Sequence, residues 1–132
     1  EERARKEEVE PLARIVGHAT HSRHPAEFTI APIGAVDKLL AQVGWDKGEV
    51  DLFEINEAFA MVTMLAIKEL GLDPDKVNIH GGACAQGHPI GSTGARIIVT
   101  LVYALRKLAR KRGIAALCIG GGEATALAVE LL

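Results

Sequence analysis

Apolar residues at Ile33, Val36, Leu39, Leu40 and Val43 recur every three or four positions, the spacing of one buried helix face, and Gly44 follows where such a helix would close. The stretch before it has a different period. "LARIVGHATHS", residues 12–22, alternates apolar with small or polar residues and is β-branched in its middle, which predicts a strand. Between them, Pro25 and Pro32 mark "HPAEFTIAP" as a loop. Further on, "EVDLFEI" predicts a second strand, "NEAFAMVTMLAIKELG" a second helix ending on Gly71, and "DKVNI" a brief third strand. "IGSTGARIIVTLVYALRKLARKRG" is the third and longest helix, and "IAALCIGGG" and "ATALAVELL" are two final strands joined by a glycine turn. The order is strand, helix, strand, helix, strand, helix, strand, strand. That alternation predicts an α/β layer with right-handed crossovers.

Two segments do not fit a self-contained layer. In the third helix, Ile97, Ile98, Val99, Leu101, Val102, Ala104, Leu105 and Leu108 leave almost no polar face before "RKLARKR". A helix apolar all round is buried on more than one side, so something besides the sheet is expected to cover it. Its basic end suits the negative pole of the helix dipole and is expected in solvent. At the other extreme, "EERARKEEVEP" is a charged helical stretch with little apolar face. Residues 1–10 are expected to be the end of a preceding helix, with residues 1–132 otherwise one domain.

Composition narrows the function classes. With 48% apolar and 24% charged residues, the chain reads as folded and soluble. Its net charge of −2 and sparse aromatics supply no footprint for nucleic acid. Cys84 and Cys118 are too few for a disulfide framework and form no C-x-x-C, which suits a reducing compartment. Neither a leader nor an apolar run of membrane length is visible, so a cytoplasmic location is expected, with no membrane partner.

Candidate chemistry concentrates where predicted strands end. In "AQGHPIGSTGAR", Gly87, Gly91 and Gly94 match neither G-x-G-x-x-G nor the lysine-bearing phosphate loop. Two readings stay open for His88: a packed histidine in a glycine turn, or a group held rigidly in a cleft by Pro89 and its flanking glycines. Cys118, in "CIGGGEA", is either an inert core thiol or a side chain emerging beside free backbone N–H groups, which could lower its pKa or bind an oxyanion. Asn56 stands where a strand meets a helix, as an N-cap or as a functional amide at the strand's carboxyl edge. His18, His21 and His24 cannot share one face of an extended segment, so no metal is expected there. His80 and Cys84 lack a fourth ligand and are read as packing or supporting residues.

Taken together, "NEAFA", "GGACAQGHPIGSTGAR" and "CIGGGEA", in this order and spacing, resemble the C-terminal half of the thiolases, enzymes that make or cleave 3-oxoacyl-CoA thioesters. The resemblance runs from about "PLARIVGHAT" to the last residue, and G-H-P-[IL]-G followed by C-x-G-G-G is specific to that family. It implies one half of an αβαβα layered fold whose shared middle layer would take the apolar third helix. It implies that His88 activates a nucleophilic cysteine and helps hold the thioester oxygen. Cys118 would be the second catalytic cysteine, moving the α-proton. Asn56 would hold a water that completes one oxyanion hole with His88, Gly120 would lend its N–H to a second, and Phe59 would line the acyl pocket.

The same resemblance marks departures. Glu123 and Ala124 replace the Gln or Met and Gly that usually follow "GGG", and "FTIAP" replaces Met-Gly-x-Gly-Pro, placing Phe28 at the acyl pocket in the methionine's stead. The family's nucleophile and most of its CoA-gripping loops belong to an N-terminal half that this chain lacks, and Cys84 is no substitute. The expected partners are therefore that N-terminal half, acyl-CoA substrates and further copies in a dimer or tetramer. Coenzyme A is expected as substrate, with no tightly bound cofactor. The chain alone is expected to show no turnover. A non-catalytic module binding acyl-CoA or a partner chain is the alternative.

Overall fold

The computed structural model describes residues 2–132; Glu1, where the charged opening stretch begins, lies outside the described residues. A short helix α1 (Glu2–Lys6) precedes β1 (Ala13–Ser22), α2 (Ala31–Val43), β2 (Leu52–Ile55), α3 (Ala60–Leu70), α4 (Ala83–Gln86), α5 (Thr93–Lys107), β3 (Arg112–Cys118) and β4 (Glu123–Leu131). The strands form one sheet in the order β1, β4, β3, β2. β2 and β3 are parallel, and β4 runs antiparallel to both its neighbours. The carboxyl ends of β1, β2 and β3 therefore share one edge of the sheet.

Side-chain alternation sorts the core into two layers. On one face, Phe53, Ile55, Ile114, Ala116, Ala126 and Ala128 pack against Val36, Leu39 and Leu40 of α2 and Ala66 and Leu70 of α3. On the other, Leu52, Ala115 and Val129 meet Ile97, Leu101 and Leu105 of α5. Alanines and glycines let the helices sit close: a Cβ on Gly113 would lie 2.7 Å from Leu101 Cδ1. The register of β2 on β3 is pinned at its far end, where one oxygen of Asp51 accepts from the backbone N–H groups of Lys111 and Arg112, each at 2.9 Å.

The boundaries differ from expectation at instructive places. "DKVNI" is not a strand but a 3-10 turn, Pro74–Lys76, followed by a single parallel bridge from Val77 to Phe53. Asn78 turns the chain away with φ 49°, and its side chain takes over the ladder: Oδ1 accepts from Ile55 N–H and Nδ2 donates to Ile55 O, both at 2.8 Å. A side-chain amide thus mimics the peptide a longer strand would have supplied. Pro32 belongs to the first turn of α2, where its missing N–H costs no intrahelical bond. The loop before it is largely a 3-10 segment, Pro25–Ile30, whose first turn is held by Ala26 N–H donating to His24 Nδ1 at 3.2 Å.

α5 shows both faces that its composition implied. Ile97, Leu101 and Leu105 are at most 1% exposed, whereas Val99 and Tyr103 are each 55% exposed. With Leu12 and Ile15 they border an open apolar groove. Among the described residues no helix is long and apolar enough to cross a membrane.

Candidate active site

Three loops converge on the shared carboxyl edge. Asn56 directly follows β2, and its N–H donates to Ala116 O of β3 at 2.9 Å, continuing the parallel ladder by one residue. It is not the N-cap of α3, which begins four residues later; a bend at Ala58 and Phe59 intervenes, and Phe59, at φ −143°, takes the cap position. That detour keeps Asn56 buried, at 1% exposed, and turns its amide toward the loop between α4 and α5. There His88 presents its ring: Asn56 Nδ2 stands 3.4 Å from His88 Nε2, and Asn56 Oδ1 is buried with no hydrogen-bond partner among the described residues.

Cys118 closes β3, and Gly120 lies in the turn to β4. The turn is held by Ile119 N–H donating to Glu123 O at 2.7 Å and Gly122 N–H to Ile119 O at 3.1 Å. Gly122 adopts φ 96°, and a Cβ there would meet Arg23 O at 2.4 Å, so only glycine fits this crossing of loops. Glu123 and Ala124 leave that turn intact, since Glu123 contributes its carbonyl, while its exposed carboxylate lies over Gly121, where a Cβ would meet Oε2 at 2.6 Å.

A cavity of about 390 Å³ opens between these loops, lined by Phe28, Ala58, His88, Ile90, Cys118 and Gly120 among others. Phe59 meets Phe28 edge to face, ring centres 6.1 Å apart. Of the six residues singled out from sequence, Phe28, His88, Cys118 and Gly120 line this cleft, whereas Asn56 and Phe59 stand beside it, Asn56 against His88 and Phe59 against Phe28. Its rim is apolar and open: Phe59 is 58%, Ile90 86% and Ile119 49% exposed.

Electrostatics separate the two cysteines. Burial pushes the Cys118 thiol above the ordinary range, with a hydrogen bond from its own backbone pulling the other way. Cys84 is exposed and points away from this role; desolvation first, then its hydrogen bond and proximity to Glu57, raise its pKa and hold it as a thiol. Glu57 instead ties two loops together, accepting from Cys84 N–H at 2.9 Å and from Asn78 Nδ2 at 3.4 Å. The β1 histidines do not join the cleft's lining; His21 packs against α2 at Gly34, and burial, Lys38 and Arg23 lower its pKa.

Sequence reasoning passed over two residues near the site. Thr93, 0% exposed at the start of α5, lies 2.6 Å from His88 Nδ1; a hydroxyl residue five positions after the histidine, at a helix start, was the available signal. Glu54 is 2% exposed on the α5 side of β2, and burial raises its pKa from 4.5 to about 7, opposed by Arg96 and reinforced by Glu57. The folded protein therefore holds this proton across a window where the unfolded chain has released it. Stability contributed by neutral Glu54 should be complete below pH 4.5 and lost as pH rises toward about 7. The loss is on the order of 3 kcal/mol. Denaturation midpoints of the complete protein should fall across that window, and Glu54→Gln should flatten the fall; an equal slope in both would remove Glu54 as its source.

Comparison with known proteins turns this geometry into a family assignment. The sequence profile described as "Thiolase, C-terminal domain" matches residues 9–131, nearly the whole chain. The chain belongs to the thiolase family. This thiolase domain is 50% identical over 127 residues to the cytosolic acetyl-CoA acetyltransferase of Mus musculus, covering 96% of the chain and 32% of the mouse protein. The Bacillus anthracis acetyl-CoA acetyltransferase crystal structure superposes with a TM-score of 0.97 at 46% identity, over 100% of this chain and 34% of that one. A thiolase from Ascaris suum, solved in complex with coenzyme A, gives a TM-score of 0.93 at 46% identity, over 99% of this chain and 34% of that one. The thiolase domain thus spans about a third of the length of the relatives it matches.

Proposed function

We propose that this chain is the catalytic C-terminal domain of an acetyl-CoA C-acyltransferase, which joins two acyl-CoA units by Claisen condensation or cleaves 3-oxoacyl-CoA with coenzyme A. The observation that carries the reading is the convergence of His88, Cys118 and Gly120 on one apolar cleft, with the Asn56 amide set against His88 Nε2. An enolate beside a thioester forms only where its oxygen meets fixed donors in a water-poor site.

The roles follow in order. His88 accepts the proton of a nucleophilic cysteine that lies beyond these 132 residues, and that thiolate takes the acyl group from a thioester, releasing CoA thiolate. For condensation, Cys118 as thiolate removes an α-proton from the second acyl-CoA. The resulting enolate oxygen is held near Asn56 and His88, and its carbon attacks the enzyme-bound acyl group. The enzyme's cysteine thiolate leaves and 3-oxoacyl-CoA results. In cleavage the Cys118 thiol returns the proton to the enolate, and its raised pKa keeps that proton in place at neutral pH. Phe28 and Phe59 face the acyl end, and the Ascaris thiolase–coenzyme A complex supports CoA as the shared carrier.

The partners proposed are the rest of a thiolase chain, which would cover the open face of α5 and the apolar rim of the cleft. Assembly into dimers or tetramers is part of the same proposal. The mouse relative is named cytosolic, and the cytoplasm is the compartment proposed here. The test is acetoacetyl-CoA cleavage by the complete protein in the presence of CoA, followed by loss of the substrate's enolate absorbance. Turnover that needs CoA is the expected result; binding of acyl-CoA without turnover would replace the catalytic reading with that of a binding module.

A further inference from the structure

We propose that Thr93 is a positioning residue that holds His88 in its Nδ1–H form, so that Nε2 alone exchanges protons with the reacting groups. The inference deepens the thiolase reading and rests on it for the reaction, though not for the state of the ring.

A hydroxyl carries one hydrogen and two acceptor sites. Thr93 Oγ1 lies 3.0 Å from Pro89 O, four residues back, and donates its hydrogen there. It then has only acceptor capacity left for His88 Nδ1, at 2.6 Å, so Nδ1 must bear the proton. A second contact selects the same form. Asn56 directs its Nδ2, a donor, at His88 Nε2 from 3.4 Å, and a neutral ring protonated on Nδ1 offers Nε2 as an acceptor. The opposite tautomer would set N–H against N–H on the Asn56 side.

The consequence is preorganisation. His88 is exposed on its loop in this chain, and little but these two contacts orients its ring. Thr93, by contrast, is wholly buried at the start of α5, and its acceptor partner is the carbonyl of a proline. When a thiol in the cleft gives its proton to Nε2, the thiolate and the imidazolium form together and Nδ1–H stays on Thr93. When Nε2 returns the proton, the ring is back in its starting state without turning. Thr93 touches no substrate, so its loss should lower kcat and leave KM little changed.

The experiment uses the complete protein labelled with 15N-histidine, as wild type, Thr93→Val and Thr93→Ser. Expected are a neutral His88 protonated on Nδ1 in the wild type, a mixture of tautomers in Thr93→Val, and recovery in Thr93→Ser. In cleavage of acetoacetyl-CoA the valine variant should lose about 10- to 100-fold in kcat, the scale for groups that orient a histidine through its second nitrogen, and serine should restore most of it. A wild-type ring protonated on Nε2 would overturn the proposal, and that spectrum decides even if the valine variant does not fold. A valine variant with unchanged tautomer and unchanged kcat would overturn it too. A wild type that holds Nδ1–H through Thr93 yet cleaves no acetoacetyl-CoA would leave the positioning in place and defeat the thiolase reading instead.

Discussion

His88→Ala in the complete protein should lower acetoacetyl-CoA cleavage by about three orders of magnitude or more. Two functions leave with one ring. The first is proton acceptance at Nε2, and general base catalysis by a positioned side chain contributes about 10²- to 10⁴-fold. The second is donation from the protonated ring to the thioester oxygen, and one such donor contributes about 10²- to 10³-fold. The factors do not multiply freely, because the same atom serves both steps and the cleft still binds substrate. Folding should survive, since His88 is exposed and α5 is anchored by Ile97, Leu101 and Leu105 instead. Steady-state kinetics beside a thermal melt checks both halves: an unchanged melt with kcat near the wild-type value would remove His88 from the chemistry.

How much of this arrangement was legible follows from what each residue does. Cys118 and Asn56 could be placed because parallel strands end where apolar alternation gives way to glycine or to a polar pair, and such ends share an edge. The letters around His88 left a packed histidine and a cleft group equally open, and its place at the site came only with the resemblance carried by "GHPIG" and "CIGGG". The partners of these groups were harder to see. Thr93 reads as one more small residue before a helix, and only the folded loop brings its hydroxyl to Nδ1. Asn78 reads as a residue inside a brief strand, whereas it ends the strand and imitates a peptide with its side chain. Glu54 looks like the polar beat of an alternating strand, yet both faces of this sheet are covered by helices, so that beat is buried. Asn56 itself misled at the local level. Strand-then-helix suggests a cap, but the chain bends through Ala58 and Phe59 before α3 begins, which leaves the Asn56 amide to His88.

Cys118→Ser should separate the two half-reactions that His88→Ala collapses together. The substitution is nearly isosteric, so the end of β3 and the turn through Gly120 and Gly122 should keep their geometry. What changes is acidity: a hydroxyl is a far weaker acid than a thiol, and no serine alkoxide is available to take an α-proton at neutral pH. Exchange of the α-protons of acetyl-CoA with deuterated water, together with condensation and cleavage, should fall by about 10²- to 10⁴-fold. Transfer of the acetyl group from acetyl-CoA to the enzyme's nucleophile should persist, because that step uses His88 and no α-proton moves. The pH dependence sharpens the assignment. Burial lifts the Cys118 thiol above the ordinary value, so the thiolate fraction, and with it α-proton abstraction, should climb on the alkaline side in wild type. Cleavage needs the thiol and should decline over the same range. The serine variant should show neither limb; if it exchanged α-protons at the wild-type rate with the same pH profile, the base would have to be a group other than Cys118.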